Sequence, residues 1–146
     1  MKTVRPWQLI AAVFLVARLA QGEGQGGGAV GEIVGTWSGS SVCSDRQAAP
    51  SCNDEKVLYE IKASSDKSDT VLVKADKIVD GKRVPMGDLE FTHDAKSASW
   101  TSEFETPRAH GLWRLTVNGA MLTGTLTLLP SKAVVRKMAL RRDRAP

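Results

Sequence analysis

The stretch Gly111–Pro130, GLWRLTVNGAMLTGTLTLLP, constrains the fold more than any other part of the chain. Two runs of strictly alternating pattern flank Asn118-Gly119, the strongest short-range hairpin signal. Pairing Val117 with Ala120 sets Leu115 against Leu122 and Trp113 against Gly124. One face then carries Trp113, Leu115, Val117, Leu122, Leu126 and Leu128, and the other Arg114, Thr116, Thr123, Thr125 and Thr127. An apolar face backed by a threonine-rich one is the pattern of an antiparallel sheet wetted on one side.

The same period of two runs through the rest of the chain. Strands are expected at 33–43, 57–63, 70–79, 82–92, 97–104 and 133–142, which with the hairpin makes eight, and no amphipathic helix is expected. Asp80-Gly81 predicts a second tight turn. Strict pairing from that turn would bury Asp88 beside Val73, so a β-bulge is expected at Gly87-Asp88, restoring Val73 opposite Leu89 and Val71 opposite Phe91. Eight strands with short connections form an up-and-down meander, and closing it into a barrel removes the sheet edges. Eight strands enclose an interior that side chains fill or that holds one small ligand.

Ahead of the strands, Lys2 and Arg5 precede nine apolar residues, Leu9 to Ala17, and Ala20-Gln21-Gly22 supplies small residues for cleavage. Residues 1–22 therefore read as a secretory signal peptide, which predicts a secreted or periplasmic protein without a stable membrane anchor. Residues 23–32 read as a flexible glycine-rich linker, 33–142 as the barrel, and 143–146 as a basic tail. The signal segment holds three of the 20 basic residues and none of the 16 acidic ones, so the chain beyond it is near neutral. That balance argues against nucleic acid as a partner. Cys43 and Cys52 both lie in the exported part, where they are expected to form one disulfide.

Gly35-Thr36-Trp37 at the head of an eight-strand meander resembles the calycin superfamily of lipocalins, fatty-acid-binding proteins and avidins. The second lipocalin signature, Thr-Asp-Tyr, has no counterpart. The resemblance implies a lipocalin-like barrel in which Gly35 and Trp37 are structural and Trp37 sits at the closed end under a basic residue of the last strand. That residue is expected to be Arg142, stacked on the indole.

Topology sorts the loops into two ends. His93 and His110 fall at opposite ends, which excludes a shared metal site or catalytic pair, and no activated nucleophile is placed by any motif. No enzyme activity, metal or cofactor is therefore expected. Arg83 and Arg108 gather at the upper end over an apolar interior containing Tyr59, Trp100, Trp113 and Leu115. A basic mouth of this kind suits a small hydrophobic or anionic amphipathic ligand, and the expectation is a binding or carrier barrel. The alternative is a filled barrel acting through its surface as an interaction or inhibitor module.

Overall fold

A computed structural model describes residues 28–144. Residues 1–22, read above as a signal peptide, residues 23–27 of the expected linker and the last two residues of the tail lie outside this range. A short helix α1 (Ala29–Ile33) leads into eight strands: β1 (Gly35–Cys43), β2 (Glu55–Ala63), β3 (Thr70–Val79), β4 (Lys82–Asp94), β5 (Ser99–Glu105), β6 (His110–Asn118), β7 (Met121–Leu128) and β8 (Val134–Arg142). Each strand pairs antiparallel with its sequence neighbour, and β1 pairs with β8, so the meander closes into a barrel.

Among the described residues, α1 lies almost wholly inside the stretch that the glycine-rich composition marks as a flexible linker. Ile33 is fully buried, and Ala29 and Val30 pack against the core. Apolar residues at 30 and 33 fall on one helical face, so a single turn is enough to cover the barrel floor. Trp37 Nε1 donates to the Ile33 carbonyl at 2.8 Å, tying that cover to β1.

The β6–β7 hairpin closes through Gly119-Ala120 with Asn118 opposite Met121. Gly119, at φ +60°, takes the first central turn position, the place where a type II′ turn requires glycine. This register differs by two residues from the one centred on Asn118-Gly119. An even shift preserves the faces and changes only the partners. Trp113 lies opposite Leu126, and Gly124 lies opposite Leu115, so the expected aromatic cover over a strand glycine is replaced by Leu115 and Met138.

Val73 pairs with Leu89 and Val71 with Phe91 as the pattern demands, but the extra residue is Met86, inserted between Pro85 and Gly87. Gly87 takes φ +143°, a region closed to side chains, which places the bulge beside it. A second irregularity lies between Leu126 and Thr127 of β7, opposite Val135. It turns Val135 inward and leaves Val134 exposed, the reverse of simple alternation. Ala98, expected in β5, sits in the preceding turn at φ +48°.

The lower lumen is solid. Trp37, Ile61, Val71, Phe91, Trp100, Leu122 and Leu140 are all 2% exposed or less. The upper wall has a seam, because β4 and β5 pair only at Thr92–Thr101, His93–Trp100 and Asp94–Ser99. Continuing that register upward would set Glu90 against Glu103 and Asp88 against Glu105. Like charges directly opposed destabilise a ladder, and the two strands part at that level. The Glu90 carboxylate turns instead to Lys67 at 2.5 Å and that of Glu103 to His110 at 2.6 Å.

Candidate functional site

At the floor, the Arg142 guanidinium lies 4.2 Å from the Trp37 ring centroid. It donates to the carbonyls of Val34 (2.6 Å) and Glu32, so one side chain ties the last strand, the first-strand tryptophan and the end of α1 together. Gly35, at φ +139°, lies directly beneath it, and a Cβ there would meet the guanidinium at 2.8 Å.

Above the packed layers the lumen is hollow. Tyr59, Ala75, Met86, Gly87, Leu89 and Trp113 line a half-open cup of about 220 Å³. Gly87 and the inserted Met86 set one lip, so the bulge shapes the opening. Tyr59 is the most constrained of the lining groups. It is 6% exposed and donates its hydroxyl to Met138 Sδ at 3.0 Å. Burial pushes its phenol up to about 12, with the positive charge of Arg136 opposing and the negative charge of Glu55 adding.

Those two charges belong to a polar network near Tyr59 that runs to the disulfide loop. Arg136 donates to the Ser41 hydroxyl (2.9 Å), to the Ser41 carbonyl (3.2 Å) and to the Asn53 carbonyl (2.8 Å), and lies 3.3 Å from Cys52 Sγ. Its Nη1 is 3.5 Å from Glu55, whose other oxygen is 3.9 Å from Lys77. One carboxylate between two cations leaves one positive charge in excess. The Cys43–Cys52 disulfide closes the loop over Arg136. Cys43 N–H donates to Asp54, which holds that carboxyl below its ordinary value.

The structure separates the six residues singled out for ligand contact. Tyr59 and Trp113 meet in the cup. Trp100 and Leu115 lie below it, 2% and 0% exposed, as part of the packed floor. Arg83 is on the outer wall, where it bridges Asp76 at 2.5 Å and Glu60 at 3.1 Å. Arg108 is exposed in the β5–β6 loop. Neither Arg83 nor Arg108 reaches the cup, and the arginine nearest Tyr59 is Arg136. Arg136 shares parity with Met138 and Leu140, and that phase was the signal that could have found it. His93, just beyond the strand expected at 82–92, is a β4 residue whose ring lies 4.9 Å from Trp100.

A closed eight-strand up-and-down barrel, floored by a helix and a first-strand tryptophan beneath a last-strand arginine, is a calycin-type fold of the lipocalin kind. The solved structure of the siderocalin Ex-FABP, which functions through dual ligand specificities, shares it. The match has a TM-score of 0.50 and 12% identity, and covers 79% of this chain and 76% of that one. No family model matches the chain, and no curated protein matches it in sequence.

Proposed function

We propose that the chain is an exported, non-enzymatic barrel that takes a small amphipathic molecule into the upper cup. The apolar body lies along Tyr59, Leu89 and Trp113, and an anionic group faces Arg136. The observation that carries this reading is a lumen filled by buried side chains below and opening above into a cup lined by Tyr59, Leu89 and Trp113. At about 220 Å³ the cup is smaller than the ~300–1,000 Å³ of ordinary ligand pockets, so it suits a small molecule or one end of a longer one. Export is supported by the basic-then-apolar start of the chain and by the disulfide, which persists in oxidising compartments. The dual ligand specificities of the similarly folded siderocalin support a binding role for a barrel of this shape.

The test is native mass spectrometry of the exported protein purified without detergent, with tryptophan fluorescence titration against carboxylates of increasing chain length. Saturable quenching is expected, abolished by Ala75→Leu and weakened for anionic but not neutral ligands by Arg136→Gln. A clean apo mass with no saturable quenching across the panel would sink the proposal.

A further inference from the structure

The barrel wall is electrically two-sided. β6, β7, β8 and β1 contain no Asp or Glu, and every acidic residue of the sheet lies on β2–β5. The outward positions of the acid-free half include hydroxyls and cations that the register arranges into rows, alongside the apolar Leu112, Met121, Ala139 and Val42. Arg114, Thr125 and Lys137 lie abreast on three adjacent strands. Thr116, Thr123, Ala139, Ser40 and Lys56 lie abreast on the next row. Arg141 sits beside Ser38 on the row below.

The small side chain of Ala139 interrupts this face and leaves a shallow groove on either side. One is lined by Arg114, Thr116, Thr123, Thr125 and Lys137, the other by Ser38, Ser40, Lys56, Met121 and Arg141. Lys56, Lys137 and Arg141 make no ion pair among the described residues, and Arg114 is held only by the hydroxyls of Ser97 and Ser99. The carboxylates at the borders, Asp94 and Asp143, are taken up by Ser97 and Ser38. Beyond residues 1–22 the basic and acidic residues nearly balance, which makes this segregation a property of placement, not of composition.

The geometry points to an acidic polysaccharide as the occupant of this face. Threonine and serine hydroxyls both donate and accept, the match for sugar hydroxyls, while Arg and Lys match sulfate or carboxylate groups. Strand spacing sets the cations about 10 to 13 Å apart along and across the face, so a chain bearing repeated negative charges meets several at once. No aromatic side chain stands on the outward rows to stack a base, which disfavours single-stranded nucleic acid. The rows belong to a hydrogen-bonded sheet, so the hydroxyls are presented without an ordering cost at each contact.

The folded protein is titrated against heparin and against polygalacturonate, with neutral dextran, anionic-lipid vesicles and single-stranded DNA as the other arms. Binding to at least one acidic polysaccharide and none to dextran is expected. Lys137→Ala with Arg141→Ala should weaken it about tenfold at low salt. Thr123→Val with Thr125→Val, which alters no charge and keeps β-forming side chains, should weaken it about fivefold. Lys62→Ala with Lys74→Ala, on the opposite wall, should leave it unchanged. The proposal is overturned by an absence of binding at low salt, by equal losses from the two lysine and arginine pairs, by an unaffected threonine variant, or by tighter binding to vesicles or DNA through the same residues.

Discussion

Gly39 is where β1 and β8 come too close for any side chain, and Gly39→Ala measures what barrel closure is worth. A Cβ at this position would lie 2.9 Å from Leu140 Cα and closer still to the Ala139 carbonyl oxygen. Both obstacles are backbone, so no rotamer change relieves them and β8 must move away from β1. Those strands share the register from Trp37–Arg142 to Cys43–Arg136, and it is this ladder that closes the cylinder. Overpacking a core costs ~1–3 kcal/mol when side chains can yield, and a backbone obstacle belongs at or above the upper end. Alanine recovers ~0.5–1 kcal/mol over glycine through the unfolded chain, leaving a net loss of about 2–3 kcal/mol. For a domain of this size that is a fall in Tm of roughly 8–15 °C by calorimetry. Gly81→Asn is the control, since Gly81 sits at φ +74° in open space and asparagine tolerates that conformation. A Gly39→Ala protein melting within about 2 °C of the parent would refute the argument, because one core overpacking is worth several times that.

Arg142→Ala should cost about 2–4 kcal/mol, the cation–π contact and two charged hydrogen bonds together, and an unchanged melting temperature would show that the floor does not need them. Tyr59 is the only tyrosine, so phenolate absorbance reports it alone. The folded protein should titrate at about 12, against ~10 for the unfolded chain. Because the folded value is raised, its contribution, about 3 kcal/mol, is fully present below pH ~10 and lost as pH rises toward the folded value. A phenolate midpoint near the unfolded value would contradict the burial. At the seam, Glu90→Thr with Glu103→Thr removes the opposed charges, and hydrogen exchange should slow at the facing amides of 88–91 and 102–105. Unchanged exchange there would mean that something other than like charge parts the strands.

Strand number, faces and closure were legible because a period of two survives any even error in register, as the β6–β7 hairpin shows. The bulge at Met86 was readable to within one residue, since Val73 had to avoid Asp88. What escaped the pattern were features set by one unusual backbone position or by shape. The floor helix hides in a glycine-rich context with too few residues to display a helical period. Val135 is the extra, unpaired residue of β8 opposite Leu126 and Thr127, and strict alternation along β8 does not reveal it. Of the candidate site, Tyr59 and Trp113 were legible as inward aromatics. The level at which the lumen ceases to be packed depends on the sum of side-chain volumes across eight strands, and so the burial of Trp100 and Leu115 below the cup was not legible from alternation alone.

The parting of β4 from β5 gives an otherwise endless sheet a short free margin. Along it stand Lys82, Arg83, Pro85 and the Met86 insertion, with Val84 and Met86 exposed. Charge, a residue lacking N–H and a bulge are the devices that keep such margins from lacing together between molecules. The expected consequence is a protein that leaves its wall unlaced above the floor yet shows a constant particle size in light scattering as it is concentrated. Pro85→Val is the change that should let one molecule extend the sheet of the next, first seen as concentration-dependent growth in light scattering.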